Sequence, residues 1–267
     1  MDEEAIDTSK AHPARRYNYW LGGKDNFAAD RESGDAIANI WPHIVIAARA
    51  NRAFLKRAVT YCVAEAGIRQ FLDIGTGMPT ADNTHEVAQQ LAPESRIVYV
   101  DNDPMVLAHA RALLTSDPAG ATSYIDADLR RPADILTDPA LRATLDLTQP
   151  VALMLVAVMH FVPETAEPYR LVHTLMDALP AGSHLVLTHA SSAMIPRPAA
   201  EQLSTASFPG RDDFYDRDPQ QIAKFFDGLN LVEPGLQIVS DWRPDPASPN
   251  VPPEQVSVYG GVAVKPA

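Results

Sequence analysis

Phe71-Leu72-Asp73-Ile74-Gly75-Thr76-Gly77-Met78-Pro79-Thr80 decides how this chain is read. An apolar run ends in an acid, a glycine-rich turn follows, and a helix is expected over about 81–91. Gly75 and Gly77 can take backbone angles closed to other residues, and they set no Cβ against a ligand. The helix start offers unpaired N–H groups and the positive end of a dipole. Such a strand–turn–helix junction holds an anionic or nucleoside cofactor, although Gly-x-Gly turns also make plain corners.

Two more junctions sharpen the reading. Arg96-Ile-Val-Tyr-Val-Asp101 and Thr122-Ser-Tyr-Ile-Asp126-Ala-Asp128 are apolar strands that also run into acids. Parallel strands of a doubly wound sheet bring their carboxyl ends to one crevice, where ligands bind. Asp73, Asp101 and Asp128 therefore share one site. Clustered carboxylates repel unless each has a donor. A ligand with a cationic centre, ribose hydroxyls and an adenine amine supplies those donors. The competing pattern, a dinucleotide fold, asks for Gly-x-Gly-x-x-Gly. Thr80 stands at its third glycine here, which keeps the helix away from the strand.

The chain has 267 residues and a formal net charge of −12. Phosphate contacts drive nucleic-acid affinity, so this charge argues against DNA or RNA and for a small-molecule or protein substrate. The lone Cys62 excludes an intrachain disulfide. The N-terminus lacks the charged and apolar regions of a signal peptide, and no apolar run is long enough to span a membrane. The expected compartment is the cytoplasm.

In chain order, 1–12 is expected to be loosely attached. Residues 13–31 mix aromatics, charges and Gly22-Gly23 in a pattern that fits neither helix nor strand. They read either as an arm patching the core or as a lid. In the lid reading Tyr17, Tyr19 and Trp20 stack on a ligand, and Lys24, Asp25, Asn26 and Arg31 anchor it. Helices are expected over about 31–40 and 43–66, the second with an apolar face of Leu55, Ala58, Val59, Cys62, Val63 and Ala66. These residues, 1–67, are expected to form an N-terminal arm and helical cap on a core of 68–267, the two making one structural domain. Strands follow at about 69–74, 96–100, 122–125, 151–156 and 184–188, with helices near 104–114, 139–145, 165–179, 199–205 and 219–227. Two late strands, about 237–242 and 255–264, are joined by the proline-rich stretch 244–253. The resulting class is α/β, with a seven-stranded, Rossmann-like sheet that is mostly parallel and ends in an antiparallel pair.

The strand-end acids, Met159-His160-Phe161-Val162-Pro163-Glu164 and the late strand pair resemble a class I S-adenosylmethionine-dependent methyltransferase. Arg16-x-Tyr-x-Tyr-x-Leu-Gly-Gly-Lys-Asp-Asn-Phe, Asp73-Ile-Gly-Thr-Gly-Met-Pro-Thr and the segment from Phe225 to Gly235 are similar to a bacterial S-adenosyl methyltransferase family first described as a domain of unknown function. The resemblance implies S-adenosyl-L-methionine as cofactor and names no substrate. It puts Asp73, Gly75, Thr76 and Gly77 along the methionine moiety and Asp101 on the ribose. Asn102 and Asp103 would line the adenine, Asp128 would accept from its amine, and the Leu129 backbone would face the ring. Ala157 and His160 would face the methyl group.

The Asn/Asp-Pro-Pro-Tyr/Phe motif of amino-group and nucleic-acid base methylation is missing after the fourth strand. The expected reaction is methyl transfer to a small molecule, with oxygen as the expected acceptor atom. His160 is either its general base or a histidine hydrogen-bonded at the cofactor's edge. No Cys/His cluster has zinc spacing, and the strand-end acids serve the cofactor rather than a metal. Two other readings stay open: a regulatory protein that binds S-adenosylmethionine without turnover, and a nicotinamide-dependent oxidoreductase. Oligomeric state is not readable.

Overall fold

The computed structural model describes residues 7–113, 115–206, 213–246 and 250–267. Expectations for 1–6, for a helix end at Leu114 and for the loop at 247–249 lie outside them. Three helices come first: α1 (Pro13–Trp20), α2 (Ala28–Ile40) and α3 (Ile44–Ala64). Alternating units follow, namely β1 (Gln70–Ile74), α4 (Thr84–Leu91), β2 (Arg96–Asp101), α5 (Pro104–Leu113), β3 (Ala121–Asp126), α6 (Pro132–Thr137), α7 (Pro139–Thr144), β4 (Ala152–Val156), α8 (Pro168–Asp177) and β5 (His184–Ala190). The chain closes with α9 (Arg197–Thr205), α10 (Pro219–Ala223), β6 (Asn230–Leu231), β7 (Gln237–Ile238), α11 (Pro253–Val256) and β8 (Val258–Val264).

The sheet runs β3-β2-β1-β4-β5-β8-β6, with β7 also paired to β8. The pairs from β3 through β5 are parallel, and β8 is antiparallel to β5, β6 and β7. Eight strands thus fill seven positions, because β6 and β7 are two-residue segments sharing one edge of β8. The order reverses between β1 and β4, and in sheets of this kind ligands bind in the crevice beyond the carboxyl ends at that point.

Side chains alternate across the sheet. Leu72, Val98, Leu153 and Leu185 join one core, while Phe71, Ile97, Ala152 and Val186 join the other with Phe54, Leu55, Ala58, Val59, Cys62 and Val63 of α3. The apolar face expected of α3 is therefore the buried one, save Ala66, which lies beyond the helix and is only partly buried. Burial pushes the Cys62 thiol up to about 12, so it stays protonated at neutral pH.

Several boundaries differ from expectation for local reasons. Residues 13–20 are a helix, because Pro13 sits in its first turn and the buried Arg15, Arg16 and Asn18 find polar partners that a hydrophobic pattern cannot register. Helix α4 starts at Thr84, not near 81, since Asp82 takes a left-handed φ of 58° and Glu86 Oε2 accepts the Asn83 N–H at 2.8 Å. The strand expected over 237–242 stops at Ile238, where the Asp241 N–H turns back to the Ile238 carbonyl at 2.8 Å. Trp242 then drops into the core against Phe54 and Tyr61. Asp218 and Gln221 form a reciprocal capping box at the start of α10, which gives way to a 3-10 turn at Lys224–Phe226.

Candidate active site

The glycine turn closes onto β2. Gly75 N–H donates to the Val100 carbonyl at 2.8 Å and Thr76 N–H to the same oxygen at 3.4 Å. Gly75 has φ +74°, and a Cβ there would lie 2.4 Å from Val158, so no side chain fits. Gly77 has φ +68°, and a Cβ there would meet only Ala14, at 4.0 Å.

The strand-end acids have distinct environments. Asp73 is buried and accepts from Thr84 Oγ1 at 2.6 Å. Burial pushes its carboxyl up to about 6, partly offset by Thr84 and the Arg52 charge. Asp101 Oδ2 accepts from Gly77 N–H and its Oδ1 from Asp103 N–H, both at 2.9 Å. Burial raises its pKa as well. Asp103 caps α5 by accepting from Met105 N–H at 2.9 Å. Its Oδ2 faces His12 Nδ1 at 3.1 Å and Arg15 Nη1 at 3.8 Å. Asn102 is exposed between them.

Asp128, expected to accept from an adenine amine, already has a partner in the protein. Both its oxygens are held by the Arg130 guanidinium, and Oδ1 also accepts the Arg130 N–H at 2.8 Å. That pairing lowers its pKa. An acceptor lone pair must then be shared with Arg130 by any ligand. Leu129 is buried in the core beside it.

At the end of β4, Ala157 takes a left-handed φ of 57°, and its N–H donates to Thr188 Oγ1 at 2.8 Å. A non-glycine residue in that region is strained and persists because its surroundings hold it. His160 follows in a 3-10 turn, buried. The Ala190 N–H donates to its Nδ1 at 3.3 Å, so the neutral ring carries its proton on Nε2. Burial, then the neighbouring His189, Arg217 and Arg16, holds its pKa well below that of a free imidazole. Beneath it Arg217 donates to the Met159 and Val162 carbonyls and to His189 Nε2.

The N-terminal segment covers this end of the sheet. Ala14 and Phe27 pack on Met78, Met105 and Val106, and Arg15 bonds Asp30 at 3.2 Å. The residues expected to touch a ligand are placed unevenly. The Tyr17 hydroxyl donates to the Ala48 carbonyl and accepts from Asn51, and the Tyr19 hydroxyl donates to Asp35. Asn26 binds Asn18 and Gly23, Arg31 binds Asn26, and Asp25 faces His109 at 3.3 Å. Lys24 is exposed. These groups stabilise the segment itself, with Tyr17 fastening it to α3.

Sequence reasoning missed Arg52, Thr84 and the 213–217 segment. Arg52 donates to the Ala81 and Asp82 carbonyls, while its Nε is buried with no partner beside Asp73. Its only signal in the sequence was a basic residue off the apolar face of α3. Asp213 receives both short bonds of the Arg16 guanidinium, at 2.9 Å, a pairing across 197 residues that no local pattern announces.

A family model described as S-adenosyl methyltransferase matches residues 1–266. A DUF574 family protein from Streptomyces avermitilis has a solved structure 46% identical to this chain, covering 98% of it and 100% of that chain at a TM-score of 0.92. A candidate methyltransferase from Thermobifida fusca is 41% identical, with 99% and 98% covered and a TM-score of 0.88. The N-methyltransferase NodS from Bradyrhizobium japonicum, solved with S-adenosyl-L-homocysteine, shares the fold at 14% identity, a TM-score of 0.51 and coverage of 95% and 100%. The search of curated proteins returns no match. Among the described residues no helix is long and apolar enough to cross a membrane.

Proposed function

The chain belongs to the S-adenosyl methyltransferase family and is a methyltransferase that uses S-adenosyl-L-methionine, and from that premise we propose that its acceptor is a small molecule methylated on oxygen. The residues at the crevice fit the cofactor. Asp73 is a buried carboxylate with a single side-chain donor, Arg52 Nε is a buried donor without an acceptor, and Gly75 and Gly77 bring no Cβ to the turn. Asp73 would hold the methionine ammonium and Arg52 its carboxylate. Asp101 would take the ribose hydroxyls, and Asp103, Asn102, Asp128 and Leu129 would border the base. Bound S-adenosylmethionine supplies an electrophilic methyl group.

The observation that carries the acceptor reading is the end of β4. Ala157 and His160 stand there, His160 beside Phe161 and Phe214, and the neighbouring Arg16 and Arg217 are paired with Asp213 and Glu164. With Nδ1 engaged, His160 offers Nε2–H as a donor and would orient the acceptor's oxygen. Its low basicity makes it a poor proton acceptor, so rate would come from alignment and exclusion of water. The formal charge of −12 supports an acceptor other than a nucleic acid.

Two measurements test the reading. S-adenosylmethionine at 100 times its dissociation constant should stabilise the protein by about 2.7 kcal/mol, whereas a nicotinamide cofactor should not shift it. Radiolabelled methyl transfer to a cell extract should appear in the low-molecular-mass fraction, in base-stable form. Label confined to protein or nucleic acid would overturn the small-molecule acceptor.

A further inference from the structure

Phe214 and Tyr215 are large aromatic residues, 41% and 36% exposed, on a segment that is otherwise firmly held. Asp213 is gripped by Arg16 through both oxygens. Tyr215 N–H donates to the His160 carbonyl at 2.8 Å. Asp216 accepts from Ser192 through both its N–H and its hydroxyl. Arg217 is buried, and its carbonyl accepts from Ser191 Oγ at 2.6 Å. Anchors at four of these five residues thus fix the segment and leave the two rings partly exposed.

The rings meet the end of β4. The Phe214 ring lies 5.5 Å from that of His160, tilted by 45°, and Phe161 lies 4.3 Å from the same imidazole on an edge-on geometry. Phe214 and the backbone of Tyr215 therefore both lie against His160, beyond the end of β4. The pair stands on the side where the family reading places the acceptor.

The area and the charge decide what such a surface takes. Two rings at this exposure present on the order of 150 Å², against ~800 Å² per partner for a stable protein interface. The ions around them are already paired: Arg16 with Asp213, Arg130 with Asp128, and Arg217 with Glu164. Nothing there calls for a charged ligand, and aromatic rings favour offset or edge-on contact with another ring.

Resting on the acceptor reading above, we propose that Phe214 and Tyr215, with Phe161 and His160, form the acceptor platform, and that it takes a planar, uncharged aromatic hydroxy compound. Phe214 supplies the stacking face, and His160 orients the hydroxyl.

The test compares 2-naphthol with its saturated counterpart, decahydro-2-naphthol, by saturation-transfer NMR on protein loaded with S-adenosylhomocysteine. The naphthol should bind at least tenfold more tightly. F214A should lose that preference, F214Y should keep it, and both should bind S-adenosylhomocysteine as the unaltered protein does. F214L, which keeps bulk without an aromatic face, should behave as F214A. Equal binding of the two probes, or full retention of the preference in F214A and F214L, would overturn the proposal. Failure of the unaltered protein to bind S-adenosylhomocysteine would remove the cofactor reading, and this inference with it.

Discussion

Asp101 reaches back across the crevice to Gly77, its Oδ2 accepting the glycine N–H at 2.9 Å. One carboxylate thereby joins the end of β2 to the turn after β1, and its other oxygen holds Asp103. The same side chain is both a brace for the turn and the group the family reading gives to the ribose.

Asp101→Asn should keep one acceptor for the backbone while removing the charge. Cofactor affinity is expected to fall by about 1.5–3 kcal/mol, the range for hydrogen bonds to a charged group. Asp101→Ala should add a loss of stability of about 1–3 kcal/mol, because buried N–H groups lose their acceptor. Calorimetry and thermal unfolding separate the two effects. Unchanged affinity in the asparagine variant would take the ribose role from this residue.

Cofactor binding should depend on pH through Asp73, whose carboxyl is pushed up to about 6 by burial. A cationic ligand selects the ionised form. Below about pH 6 the free protein is mostly protonated there, so affinity should fall as pH drops, roughly fivefold from pH 6 to pH 5 and approaching tenfold, or about 1.4 kcal/mol, for each further unit. Above about pH 6 this contribution should level off. Titrations of the unaltered protein and of Asp73→Asn check it; an equal slope in both would place the dependence elsewhere.

His160→Gln should retain far more turnover than His160→Ala, since glutamine still offers a donor and an acceptor. The ring stays neutral at working pH because its pKa lies well below the usual value, so the rate should show no break between pH 6 and 8 from this group. If both variants lose the 10²–10⁴-fold typical of a general base, and the unaltered enzyme's rate falls on the acid side, proton abstraction by His160 is the correct role.

Arg15→Met should destabilise the protein by about 3–5 kcal/mol, the cost of leaving a buried partner uncompensated. Asp30 is fully buried and Asp103 nearly so, and Arg15 faces both. Limited proteolysis should also cut within 12–27 faster in this variant. In the unaltered protein cofactor should slow that cut, as expected of a segment that closes over a pocket. Equal rates with and without cofactor would leave the segment as fixed packing.

What the sequence determined by itself was the alternation of strands and helices, the glycine turn and the acids at the strand ends. Each is a local signal: an apolar run, a residue type that permits positive φ, a carboxylate at a fixed offset. The apolar face of α3 was legible for the same reason, since a helix repeats within a few residues. The tertiary structure decided the rest. Arg130 beside Asp128 lies close in sequence, yet its choice of that carboxylate depends on how the loop after β3 turns. Arg16 with Asp213, Arg52 beside Asp73, and Phe214 against His160 join segments far apart in the chain. A charged or aromatic side chain carries no mark of its distant partner, so only the packing of α1, α3 and the 213–217 segment on the crevice could select these pairs.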